Sequence, residues 1–194
     1  MASSEVEICN LALTAISAAT ISDLEDDSHE AELCKLHYPQ VRDWVIRRYR
    51  WACAKVTLDL NQDVEPPDDM TFAYQYTIPS DPFCLRVLGV PGSTLRDYKV
   101  VNNRKVWSNR EEVKVEYLVR ITDPNQMDTS LVDAIAFQIA FRICLSLTND
   151  KQLKEQMRLD FKEAIATARK ANAIEAFEKR PPNTDWIDAG RSAG

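Results

Sequence analysis

Glu112-Val-Lys-Val-Glu-Tyr-Leu-Val-Arg-Ile121 alternates between apolar and polar residues, and its reading decides how the middle of this chain folds. A period of two puts Val113, Val115, Tyr117, Val119 and Ile121 on one side of an extended segment. Thr71-Phe-Ala-Tyr-Gln-Tyr-Thr-Ile78 alternates in the same way, grouping Phe72, Tyr74, Tyr76 and Ile78. Between them, Cys84-Leu-Arg-Val-Leu88 reads as a third strand. Tyr98 to Trp107 reads as a hairpin turning at Asn102-Asn103, since asparagine tolerates the positive φ of a tight turn. Prolines at 66, 67, 79, 82 and 91 bound these pieces. The expectation is a small antiparallel β unit over residues 55–121.

Helical periodicity lies on both sides of it. Ser4-x-x-Glu7 is a capping-box spacing, followed by a stripe of Ile8, Leu11, Ala12, Ala15 and Ala19. A second helix starts at Asp27 or Ser28 and carries Ala31, Cys34, Tyr38, Val41 and Val45 inward. Pro39 within it removes a backbone donor and crowds the Lys35 carbonyl, which predicts a kink or a break. Leu131 to Leu147 is apolar almost all round, as befits a helix buried on several sides. A fourth helix, capped by Asn149 or Asp150, runs to about Ala176 with Leu153, Met157, Phe161, Ala164, Ile165 and Ala168 inward. Pro181-Pro182 ends any helix, and the remaining tail places Trp186 and Ile187 among polar residues, as an anchor that docks on a partner or folds back on its own helices.

Composition excludes several classes of function. Only 4 of 194 residues are glycine, which argues against Gly-rich phosphate loops. No uninterrupted apolar run approaches the roughly 20 residues that span a bilayer. The N-terminal residues lack the pattern of a signal peptide, so the expected setting is a cytoplasm without membrane contact. The five cysteines (Cys9, Cys34, Cys53, Cys84, Cys144) form no CxxC pair and read as free, buried thiols. His29 and His37 fall about 12 Å apart on one helix, too far to share a metal. Cys34 with His37 at i,i+3 lacks an orienting third group and an oxyanion site. No catalytic residue, metal or cofactor is expected.

Charge is more informative. The net charge is -6. Glu5, Glu7, Asp23, Glu25, Asp26, Asp27, Glu30 and Glu32 face no Lys or Arg in their stretch, and Asp59 to Asp69 is a second unopposed acidic run. Arg47-Arg-Tyr-Arg-Trp51 has the opposite bias. Interleaved cations and aromatics are one signature of nucleic-acid contact, which makes a nucleic-acid-binding helical module the alternative reading. The plainer account is a helix C-terminus whose cations offset the dipole while Tyr49 and Trp51 pack inward, and overall acidity favours it. The same arginines, Arg47, Arg48 and Arg50, also suit ion pairs with Asp26 and Asp27 of a neighbouring subunit.

In order and spacing, the opening helix pair Glu7–Asp43, Tyr74-Gln-Tyr-Thr-Ile-Pro79, Cys84-Leu-Arg-Val-Leu88, Tyr117 with Ile121-Thr-Asp-Pro124, Phe161–Ala173 and Asp185-Trp-Ile-Asp-Ala-Gly-Arg191 resemble the head-to-tail adaptor (tail tubular protein A) family of tailed bacteriophages. One departure is Ile16-Ser17, where that family commonly has Leu-Gly. The resemblance implies a mainly α, α+β fold: a four-helix bundle (residues 1–54 and 122–177) with a small antiparallel β insertion between helices 2 and 3, and an extended C-terminal tail (178–194). It implies a non-enzymatic virion protein, assembled in the host cytoplasm as a twelve-membered ring below the portal vertex. The tail, through Arg180, Asp185, Trp186, Ile187, Asp188 and Arg191, would dock on the portal protein. The β unit, through Tyr74, Tyr76, Tyr98 and Trp107, would face the tail nozzle protein or the adjacent subunit. DNA would pass through an acidic lumen without sequence-specific binding, and attachment of tail fibres is left open.

Overall fold

In the computed structural model, which describes residues 4–94 and 96–178, the first helix begins at the expected cap. Ser4 Oγ accepts the Glu7 amide at 3.1 Å, and Glu7 Oε2 accepts the Ser4 amide at 2.9 Å. This helix, α1 (Glu5–Ala15), closes with Ser17 at φ 56° while the Ser17 and Ala18 amides bond back to the carbonyls of Thr14 and Leu13. Its buried face is Ile8, Cys9, Ala12 and Leu13; Leu11, expected inward, is 48% exposed. Asn10 then pins the following loop, exchanging two 2.9 Å hydrogen bonds with the backbone of Ile21.

α2 (His29–Arg48) is capped by Ser28, whose Oγ accepts the Ala31 amide. It runs through Pro39 as one helix, so no break occurs. Pro39 and Lys35 both lie on its exposed side, where the carbonyl that loses its amide partner can bond to water. Asp128 caps α3 (Thr129–Thr148), accepting the Leu131 amide at 2.8 Å. α3 packs against α1, α2 and α4 (Lys151–Glu178) and is buried on most of its surface. It is long and apolar enough to cross a membrane by length and composition alone, but it forms the centre of this core. Asn149, at φ 53°, reverses the chain, and Asp150 Oδ1 receives the Gln152 and Leu153 amides at the start of α4.

The β region corrects the expectation of a helical bundle with a small insertion. Among the described residues, six strands form two three-stranded antiparallel sheets, and all of them follow α2. One sheet has the order β1-β6-β3, from Lys55–Leu60, Val113–Val119 and Cys84–Gly89. The other has the order β2-β5-β4, from Tyr74–Thr77, Lys105–Ser108 and Tyr98–Val101. Asn102 and Asn103, at φ 51° and 58°, make the predicted turn between β4 and β5.

The first sheet is covered on one face by the second sheet and on part of the other by the helices, which is why a small appended unit does not describe it. Val113, Val115, Tyr117 and Val119 meet Tyr76, Ile78 and Val106 of the second sheet in one core. Leu118 and Leu85 point the other way, into the core built by the helices. Ile121, expected with the valines, lies past the strand end and joins the helical core instead. A partly buried ion-pair chain adds to the joint: Arg42, 7% exposed, donates to Asp43 at 3.0 Å, and Asp43 also receives Arg120 just after β6. The fold is thus α+β, with a helical layer, a middle sheet and an outer sheet.

Candidate functional site

Where α2 ends, the chain crosses into β1, and there α4 and β3 also arrive. This junction leaves an open cleft of about 790 Å³. Arg48 and Arg50 come from the end of α2, Arg86 from β3 and Arg169 from α4. The floor is apolar, made by Tyr49, Leu88, Ile165 and Ala168. A neighbouring depression of about 530 Å³ shares Arg48 and Arg86 and adds Arg47 and Trp44.

Local forces account for part of this arrangement. Arg47 and Arg48 occupy the last turn of α2, where cations offset the negative end of the helix dipole. The Arg48 guanidinium lies 5.6 Å from the Trp44 ring centroid, and Arg86 Nη1 points at the Arg47 carbonyl at 3.4 Å. Lys55, at the rim, is neutralised by Glu116 at 2.8 Å. Among the described residues, Arg47, Arg48, Arg50, Arg86 and Arg169 make no ion pair. Glu116, which also lines the cleft, is taken up by Lys55, so the clustered arginines keep no paired counter-charge among the described residues and favour an anionic partner. Guanidinium groups around an apolar floor suit carboxylates carried on a partly apolar segment.

The two aromatic residues of Arg47–Trp51 differ in exposure. Trp51 is 1% exposed and its Nε1 donates to the Val45 carbonyl at 3.0 Å. Tyr49 is half-buried, edge-on to Trp51 and to Phe161. Trp51 therefore offers no stacking face to a base, and Tyr49 keeps only the part that floors the cleft.

The proposed acidic partners of these arginines lie elsewhere. Asp26 and Asp27 precede α2 while Arg47, Arg48 and Arg50 sit at its end, about 30 Å away at helical rise, so they do not meet within one chain. Asp26 is largely used locally: its Oδ2 accepts the Ser22 and Asp23 amides at 2.8 and 3.0 Å. Glu25 pairs with Lys35 at 2.5 Å, and Asp27 is exposed.

The four aromatic residues of the β unit divide. Tyr76 is fully buried and its hydroxyl donates to the Arg110 carbonyl. Trp107 is 7% exposed, with Nε1 donating to Gln75 Oε1 at 2.9 Å. Tyr76 lies in the core between the sheets, whereas Trp107 lies on the other face of the outer sheet, beside Gln75 and with Lys99 Nζ 5.1 Å from its ring centroid. Tyr74 and Tyr98 are half-buried, and the Tyr74 hydroxyl donates to Glu111 Oε1 at 3.2 Å. Arg180, Asp185, Trp186, Ile187, Asp188 and Arg191 lie outside the described residues.

Cys34 is buried against Cys9 between α1 and α2. The hydrogen bond to Cys34 and burial together hold the Cys9 thiol protonated, far above the usual range. Burial, helped by nearby Arg142, lowers the pKa of His37. The same hydrogen bond lowers the pKa of Cys34, but that thiol is fully buried, and burial rather than protonation keeps it from reacting. Among the described residues no three His, Cys, Asp or Glu side chains gather as a metal site.

The acidic stretch noted from Asp59 to Asp69 takes a more definite form than sequence suggested. Between β1 and β2 it becomes a loop on which Val64 and Met70 are 102% and 101% exposed. Arg86 and Arg169 escaped sequence reasoning because nothing local marks them; only packing brings them beside Arg48. No family model matches this chain, and no curated protein matches it either.

Proposed function

We propose that this protein is a structural component of a tailed-bacteriophage virion: a head-to-tail adaptor whose copies join the portal to the tail nozzle and line part of the DNA ejection channel. The observation that carries this reading is the order and spacing of its motifs, from the paired N-terminal helices through Tyr74–Pro79 and Cys84–Leu88 to the terminal Trp186–Arg191. The charge layout supports it. The cleft arginines have no acidic partner among the described residues, and acidic loops lie elsewhere on the chain, so its surfaces suit partners rather than turnover. A net charge of -6 disfavours the counterion release that makes DNA binding tight, as a conduit through which DNA slides requires.

In this proposal residues 183–194 dock on the portal, with Trp186 as the buried anchor and Asp185, Asp188, Arg180 and Arg191 around it. Particle images of the full chain mixed with its portal protein test the reading. A ring of this protein on the portal is expected. Deleting Asn183–Gly194 should abolish the union while helical circular dichroism stays intact. Undiminished portal binding after the deletion would overturn the tail's role, and no affinity for any portal would overturn the adaptor assignment itself.

A further inference from the structure

The loop between β1 and β2 is built as a plug. Its two shoulders are fastened to the outer sheet. Asp63 accepts the Thr77 amide and hydroxyl at 3.2 and 2.7 Å and Gln75 Nε2 at 3.0 Å. Asp69 accepts the Thr71 amide and hydroxyl and Lys99 Nζ, the last at 3.0 Å. Those bonds hold the Asp69 carboxyl down to about 2, chiefly through Thr71 and then Lys99. The intervening Pro66-Pro67 stiffens the chain. Held out on this frame are two fully exposed apolar side chains, Val64 and Met70, and two exposed acids, Glu65 and Asp68, with no ion pair among the described residues.

The basic cleft is the complement of that surface. It has arginines where the loop has carboxylates, and an apolar floor where the loop has Val64 and Met70. No loop residue lines the cleft of its own chain, and two side chains this exposed touch nothing there. We infer that the Asp63–Met70 loop of one copy inserts into the Arg48–Arg50–Arg86–Arg169 cleft of a second copy of this chain. The other acidic loop is the weaker candidate: Asp26 and Glu25 are already engaged, and Leu24 packs on the helical core.

Because plug and socket are different surfaces, the contact is head-to-tail, and it propagates into a ring or a filament according to the rotation it imposes. Fastening the loop in advance removes much of the ordering cost of binding. The contact concerns copies of this chain alone and stands whether or not the protein meets a portal.

The test is sedimentation velocity of the full chain over a concentration series at low and high salt. A plug variant, Val64→Ser with Met70→Ser, and a socket variant, Arg50→Glu with Arg169→Glu, change only exposed side chains, and circular dichroism verifies their folding. Wild type should self-associate, more strongly at low salt. Each variant alone should associate about tenfold more weakly or less. Mixed together they should form one-to-one heterodimers that grow no further, since the socket variant keeps its plug and the plug variant its socket. A wild type that stays monomeric at low salt across its soluble range overturns the inference. So does a plug variant that associates like wild type, which would assign the socket to residues 179–194 or to another surface. Two folded variants that both lose association and fail to pair on mixing overturn it as well. Wild-type oligomers displaced by duplex DNA that binds the plug variant but not the socket variant, with no heterodimer formed, would give the cleft to nucleic acid.

Discussion

Ser17 holds a left-handed backbone that glycine adopts freely, and it is the residue at which α1 turns toward the acidic loop. A side chain there costs about 1–2 kcal/mol, and glycine returns about 0.5–1 kcal/mol of that through the entropy of the unfolded chain. Ser17→Gly should therefore stabilise the fold by roughly 0.5 kcal/mol, a rise of about 1–2 °C in Tm. Asp69 gives a second residue-level expectation. Its folded pKa lies below the ordinary 3.8, so its ionised form contributes stability above that value, and the contribution is lost as pH falls toward about 2. The stability difference between wild type and Asp69→Asn should be present at pH 6 and fade as the pH falls from about 4 to about 2, read by thermal melts. The thiols make a third. Cys9, Cys34, Cys84 and Cys144 are buried, and Cys53 is half-buried with burial as the main cause lifting its thiol to about 11. Alkylation at neutral pH should be slow at all five until the protein is unfolded; rapid native labelling of Cys34 would contradict its burial.

Among the elements, β6 does more than its alternation announces. Its apolar side serves the sheet-to-sheet core, and the single residue Leu118 on the other side reaches the helices. Leu118→Ala should cost about 3 kcal/mol, since the side chain is fully buried and the cavity has helix on one wall and sheet on the other. The substitution should lower one shared transition, seen alike by the fluorescence of Trp51 in the helical core and Trp107 in the β region; separate midpoints would show that the two regions unfold independently. The capping box, the Asn102-Asn103 hairpin and the apolar α3 were legible in sequence because each rests on contacts a few residues long. β1 was not. Its outward positions carry Lys55 and Asp59, which pair across the strand with Glu116 and Lys114, so that stretch reads as scattered charge and acidic loop. Its inward Val56, Leu58 and Leu60 gain meaning only beside β6.

For the whole molecule, a small β insertion on a bundle was the wrong weighting, because a strand's second face is judged by what lies against it. Only Leu118 in β6 and Leu85 and Leu88 in β3 disclose that the middle sheet backs onto helices. The cleft has the same history. Arg47, Arg48 and Arg50 stand together in the sequence, but Arg86 and Arg169 come from 36 or more residues away and join them only through packing. The sequence by itself determined the helices, their caps, the hairpin turn and the uneven charge, since these follow from periodicity and from bonds between near neighbours. Tertiary structure alone decided that there are two sheets, that Tyr76 and Trp107 are buried, and that Arg86 and Arg169 join Arg48 and Arg50 at one mouth. Those outcomes depend on which surfaces cover one another, and burial of that kind is a property of segments far apart in the chain.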